Sequence, residues 1–271
     1  NKIVIPDTDD GRFDLRIDGS VAGSGDDVGD GGTTGAVAVS AGGHLVAESA
    51  GPDTSLADYI AVIAGDCAAD GSVSLALDDD KVCTITNTKQ PKLIVTKVVI
   101  NDNGGTLGVS DFPLFVDGDA VTSGDVNSES IGAHTVSETS HPAYSASMSG
   151  DCTSDGDVVL AAGDIKECVI TNNDIPAHLI VIKHVLNDDG GTAVAGDFTL
   201  QIDGVTSSSG NSFAGVDAPG VDHLLLSIGG YSVGESSPVG YASSFGPDCA
   251  GSIALNETKT CTVTNNDIAP T

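Results

Sequence analysis

A five-residue stretch occurs three times in this chain: CTITN at Cys83–Asn87, CVITN at Cys168–Asn172 and CTVTN at Cys261–Asn265. In an extended strand successive side chains point to opposite faces. The cysteine, the central Ile or Val and the asparagine therefore share one face, and an amide is set on an apolar surface in every copy. A repeat of this kind constrains the fold more than composition does. It requires one β unit built three times, with boundaries expected at 1–90, 91–176 and 177–271.

The stretches between agree with that unit. KLIVTKVVI at Lys92–Ile100 alternates, with Leu93, Val95, Lys97 and Val99 on one face, and runs into the turn signal NDNGG. The third copy reads HLIVIKHVL and then NDDGG, and the first reads KIVIP and then DTDDG. Lys2 thus takes the place of Lys97 and Lys183, and the first strand of the first copy is truncated ahead of its lysine. A second strand follows in each copy, RFDLRIDG, DFPLFVDG or DFTLQIDG, then a variable region rich in Gly, Ser and Asp. GGHLVAE, GAHTVSE and GGYSVGE come next and put Glu48, Glu138 and Glu235 on a strand face with His44, His134 and Tyr231. A tyrosine in the third copy marks the histidine position as a packing position rather than a metal ligand. No segment carries a sustained helical period, so the expectation is all-β.

Six cysteines fall one pair per repeat, Cys67 with Cys83, Cys152 with Cys168 and Cys249 with Cys261. The repeat selects an intradomain disulfide in each copy, worth about 3 kcal/mol apiece in the chain-entropy model. Such bonds persist outside the reducing cytosol. A metal reading has little support, because no CxxC and no histidine stands at ligand spacing.

The formal charge is −29, and 33 of the 39 acidic residues are Asp. That field repels nucleic acid and anionic lipid and draws divalent cations or basic partners. Much of the Asp excess is turn chemistry and a solvated surface. The turn oxygens of DTDDG, NDNGG and NDDGG could take Ca²⁺, although they lack the EF-hand register, and tight turns are the preferred reading. No other cofactor is expected. Asn256, in NET, is the one N-glycosylation sequon. No transmembrane run is present. Opening at Asn1 rather than Met fits a removed leader or a segment of a longer product.

Three polar residues stand on apolar faces in every copy: Lys2, Glu48 and Asn87; Lys97, Glu138 and Asn172; Lys183, Glu235 and Asn265. Only eight lysines occur in the chain, and three hold this one position. A buried ammonium or carboxylate must pair, neutralise or react. Desolvation lowers a lysine pKa toward a nucleophilic amine and raises that of a glutamate toward a proton shuttle.

The first-strand lysine in IVTKVV and IVIKHV, the glutamate segments HTVSETSHPAY and YSVGESSPVGY, and the closing TITN, VITN and TVTN resemble the SpaA-like or Cna B-type prealbumin-like repeat domains of Gram-positive pilins and surface adhesins. The resemblance implies three tandem transthyretin-like β-sandwiches. It further implies intramolecular isopeptide bonds from Lys2 to Asn87, Lys97 to Asn172 and Lys183 to Asn265, with Glu48, Glu138 and Glu235 shuttling protons. The other reading of the same residues is an ion pair capped by the amide.

The expectation is an extracellular or cell-surface structural protein, a filament subunit or adhesin stalk, and not an enzyme. Its partners would be further copies of itself, head to tail. Short Pro-bearing linkers (TKQP, NDIP, and NDIAPT at the C-terminal end) suit a semi-rigid row, cut from a longer array or docking onto the next subunit. A Ca²⁺-dependent or carbohydrate-binding adhesin module is the alternative.

Overall fold

The computed structural model describes residues 1–236 and 238–270. The chain is all-β; among the described residues its only helical segments are four short 3₁₀ turns. No helix among them is long and apolar enough to cross a membrane. Six sheets form three tandem two-sheet sandwiches. The residues gather into two compact units, Asn1–Val95 with Val116–Ser137 and Gly150–Cys168, and Thr96–Phe115 with Glu138–Ser149 and Val169–Thr271.

The third repeat shows the sandwich most fully. Its first strand, Ala177–Leu186, lies between Val221–Leu225 and the last strand, Thr258–Asp267, and Tyr241–Phe245 flanks the last strand on its far side. The facing sheet runs Ser212–Ala214, Thr199–Asp203, Gly229–Ser236, Ala250–Ile253. Leu179 and Val181 on the first strand pack with Leu200, Ile202, Val233, Ile253, Cys261 and Val263 in one closed core. Each such side chain contributes about 1.5–3 kcal/mol on burial. First and last strands pair in parallel, Lys183 opposite Val263 and Val185 opposite Asn265. With a two-residue side-chain period, this register turns Lys183 and Asn265 onto the same inner face.

The second repeat has the same strands: Val126–Ser128, Lys92–Ile100, Ile165–Asp174 and Tyr144–Gly150 in one sheet, and Asp119–Val121, Leu114–Val116, Gly132–Glu138 and Asp157–Leu160 in the other. The first repeat keeps the four-stranded sheet as Ser20–Val21, Phe13–Ile17, Gly42–Ala50 and Ser72–Leu75. Its other sheet has three strands, Lys2–Ile5, Cys83–Lys89 and Tyr59–Gly65. Among the described residues the first repeat has no counterpart of Val221–Leu225, the strand that in the third repeat pairs with Ala177–Val181, ahead of the lysine.

The Asp-Gly turns that close the second strands fix the register of the facing sheet. Asp18 and Gly19 sit at φ 48° and 81°, and Asp117 and Gly118 at 52° and 92°. Two successive positive φ values make the hairpin turn whose twist matches the flanking strands. From there Leu15 pairs with Glu48, and Leu200 with Glu235. Both glutamates therefore face inward, across from the lysine-bearing strands.

Candidate functional site

The three lysines named from the sequence are buried, Lys2 at 1% exposure, Lys97 at 4% and Lys183 at 0%, and so are Asn87, Asn172 and Asn265. In the third repeat the triad closes on itself. Lys183 Nζ donates to Asn265 Oδ1 at 2.5 Å and lies 3.1 Å from Glu235 Oε2. Asn265 Nδ2 donates to Glu235 Oε1 at 2.7 Å. One carboxylate thus bridges the amine and the amide nitrogen, and the amine touches the amide oxygen.

In the second repeat Lys97 Nζ donates to Glu138 Oε2 at 2.5 Å, while Glu138 Oε1 and Asn172 Oδ1 are buried without a hydrogen-bond partner. In the first, Lys2 Nζ donates to Glu48 Oε2 at 2.6 Å. Glu48 Oε1 and both amide atoms of Asn87 are buried and unpartnered. A buried polar atom in that condition costs about 1–3 kcal/mol. The unsatisfied atoms in the first repeat, Glu48 Oε1 and Asn87 Nδ2, correspond to the pair hydrogen-bonded in the third.

Each amine also lies over the phenylalanine ring that opens the second strand of its repeat. Lys2 Nζ is 3.7 Å from the centroid of Phe13, Lys97 Nζ 4.6 Å from Phe112 and Lys183 Nζ 4.3 Å from Phe198. These rings are themselves buried and packed edge-on by Tyr59, Tyr144 and Tyr241. The signal was present in the aligned copies, where RF, DF and DF open the second strands and a tyrosine opens the later strand in all three. Burial lowers the pKa of all three lysines, and the hydrogen bond from each to its glutamate opposes that shift. The net effect moves each amine toward its neutral, nucleophilic form.

The tyrosines carry the site outward to the acidic turns. Tyr144 and Tyr241 hydroxyls donate to Asn101 Oδ1 and Asn187 Oδ1, both at 2.6 Å, and Tyr59 donates to Asp9. At the end of the last strand Asp174 accepts the backbone N–H groups of Asp102, Asn103 and Gly105, and Asp267 those of Asp188, Asp189 and Gly191. In the first repeat Lys89 holds this position and pairs with Asp9 of the turn. The charge order is inverted and the tie is kept. Ligand oxygens of Asp188, Asp189 and Asp267 lie within 4.8 Å of one another, but both oxygens of Asp267 are engaged by amides, as tight-turn chemistry requires.

Disulfides join Cys67 to Cys83, Cys152 to Cys168 and Cys249 to Cys261, tying each last strand to the segment after the tyrosine strand. The histidines do more than pack. His44 Nδ1 lies 2.7 Å from Asp18 Oδ2 and Nε2 2.8 Å from Ser40 O; His134 meets Asp117 and Ser130 O at the same distances. Acceptors on both ring nitrogens favour the imidazolium. The His44 pKa is raised, chiefly by Asp18; that of His134 is raised because its two hydrogen bonds outweigh burial. The sequon residue Asn256 spends its amide on Pro142 O, at 3.0 Å.

A family model described as a prealbumin-like fold domain matches residues 89–170 and 174–269. Among solved structures, the Bacillus anthracis TIE protein is 12% identical with a TM-score of 0.37, over 100% of this chain and 50% of that one. The pilus adhesin SpaC from Lactobacillus rhamnosus GG is 14% identical with a TM-score of 0.30, over 99% and 43%. A major pilin protein from Streptococcus pyogenes is 17% identical with a TM-score of 0.30, over 66% and 98%. The chain spans half or less of the length of the first two, 50% and 43%. No curated protein matches it.

Proposed function

The chain belongs to the prealbumin-like fold domain family, and on that premise we propose that it is an extracellular structural protein, a filament subunit or adhesin stalk whose sandwiches are cross-linked from first strand to last. The observation that carries this reading is the third triad, in which Glu235 bridges Lys183 and Asn265. The chemistry needs nothing beyond these side chains. The neutral Lys183 amine attacks Asn265 Cγ and forms the Nζ–Cγ bond. Glu235 takes the proton released from Nζ and delivers it to Nδ2, the Cγ–Nδ2 bond breaks, and ammonia leaves. An amide replaces an amide, so no oxidant is required. A dry site beside Phe198 excludes water as a competing nucleophile. The same step in the other repeats joins Lys97 to Asn172 and Lys2 to Asn87. Each reaction turns over once on the chain itself, which makes the protein a substrate of its own fold and not an enzyme.

A bond between first and last strands prevents a sandwich from peeling at either end, the property wanted of a shaft under tension. Head-to-tail copies of the chain would extend that shaft. Single-molecule pulling on the native chain tests the reading. The account expects the repeats to resist extension until covalent rupture, with only linkers lengthening. Stepwise release of each repeat's full contour length would overturn it.

A further inference from the structure

His223 is a buried polar side chain that takes no part in the cross-link sites. It lies in the middle of Val221–Leu225, the edge strand of its sheet, opposite Leu179 of the first strand, and is 1% exposed. Its Nδ1 meets the hydroxyls of Ser207 at 3.2 Å and Ser209 at 3.0 Å, and its ring packs on Phe213 with centroids 4.1 Å apart. Its Nε2 is buried and has no hydrogen-bond partner among the described residues.

This seat fits the neutral ring and rejects the charged one. The hydroxyls suit Nδ1 with or without its hydrogen, because each can donate or accept. In the imidazolium both nitrogens carry hydrogen, and the Nε2–H would be a buried, charged donor with no acceptor. The elements around the ring do little to offset that charge. The first strand offers Leu179, the strand Ser212–Ala214 offers Phe213, and the segment between second and third strands offers Ser207 and Ser209. Further along the inner face Lys183 and Glu235 are engaged with each other. Asp222, next in the chain, is turned to the outer face, where it meets His178 Nδ1 at 3.1 Å. Burial accordingly lowers the His223 pKa, and Asp222 opposes the shift.

We propose that His223 is an acid-sensitive latch: when the ring takes up a proton from solvent it leaves its seat, and Val221–Leu225 comes away from Ala177–Val181. As an edge strand it can yield without breaking the rest of the sheet; its far side is tied by Ser208 N–H to Leu224 O and by Leu226 N–H to Thr206 O. The contribution of the neutral ring is complete above the ordinary 6.5 and is lost as the pH falls from there through the lower folded value. His178 cannot supply this response, since its protonation strengthens the pair with Asp222. The second repeat has no such group: Asn127 stands in the matching place opposite Leu93 and donates to Leu93 O at 3.3 Å. The cross-links tie first strand to last and leave Val221–Leu225 free to move, so either reading can fail without the other.

Amide hydrogen exchange on the native full-length protein tests it, compared between neutral and mildly acid pH and corrected for the intrinsic pH dependence of exchange. Opening of Val221–Leu225 should rise by up to about tenfold for each pH unit below the ordinary histidine value, while Val126–Ser128 in the second repeat stays flat. His223→Asn, which installs the second repeat's residue, should abolish the acid response. Titration of the His223 imidazole by NMR needs no variant, and its midpoint should fall below 6.5. A midpoint at or above that value, no acid response at Val221–Leu225, an equal response at Val126–Ser128, or one that survives His223→Asn would each overturn the proposal.

Discussion

The first and third repeats carry the same lysine, glutamate and asparagine in the same strand register, yet only the third completes the set. Lys183 reaches both Asn265 and Glu235 inside a core sealed by the residues ahead of it. Lys2 is held by Glu48, and the Asn87 amide has no hydrogen-bond partner among the described residues. The contrast separates two requirements. Register alone brings the three groups to one face; in the third repeat the residues before the lysine pack into the core and pair with Val221–Leu225. Chemistry and closure are therefore specified by different stretches of sequence.

The largest expected effect comes from removing the amine. Lys183→Ala strands Glu235 and Asn265 in a closed core and should cost about 3–5 kcal/mol, seen as a lower Tm and a protease-sensitive third repeat. Lys2→Ala should cost less, because Glu48 Oε1 and both amide atoms of Asn87 already lack hydrogen-bond partners among the described residues. Equal losses would erase the contrast. The disulfides sharpen it next. Each is worth about 3 kcal/mol, but Cys83 is half-buried while Cys261 is buried. Dithiothreitol without denaturant should open Cys67–Cys83 before Cys249–Cys261, read by alkylation and mass spectrometry; the reverse order would count against an open first repeat.

Smaller effects lie at the turns. The Asp267 carboxyl is held below its ordinary 3.8, its amide hydrogen bonds outweighing the opposing effect of burial. Stability from this group is complete above that ordinary value and lost as the pH falls through the lower folded one. Asp267→Asn should flatten the acid dependence of amide exchange in the third repeat and leave the first, tied by Lys89 and Asp9, unchanged. The smallest effect belongs to the histidines. With raised folded pKa values, His44 and His134 stabilise the protein at low pH, and that contribution is lost as the pH rises through those values. The third repeat has Tyr231 there and should lack this alkaline slope. His134→Tyr should remove it from the second.

Most of the site was legible because it repeats. Strand alternation placed Lys183 and Asn265 inward, and three occurrences made a coincidence untenable. The phenylalanines were harder to assign, since an apolar residue on a strand face reads as core whether or not an amine lies over it. The inverted tie was hidden for a different reason: Lys89 and Asp174 differ in charge, so the sequence offers no likeness between them, and only the shared turn geometry shows that they do the same work. The later start of the last strand in the first repeat (Cys83 itself, against Thr258 where the cysteine is 261) follows from strand pairing and not from the local sequence.

The most direct test is to digest denatured, reduced native protein and sequence the fragments by tandem mass spectrometry. The account predicts a branched peptide joining Lys183 to Asn265, lighter by one ammonia than its two linear parts. It predicts counterparts for Lys97 with Asn172 and Lys2 with Asn87. Recovery of Lys183 and Asn265 in separate, unmodified linear peptides would show that the triad is an ion pair capped by an amide, and would contradict the cross-linked shaft.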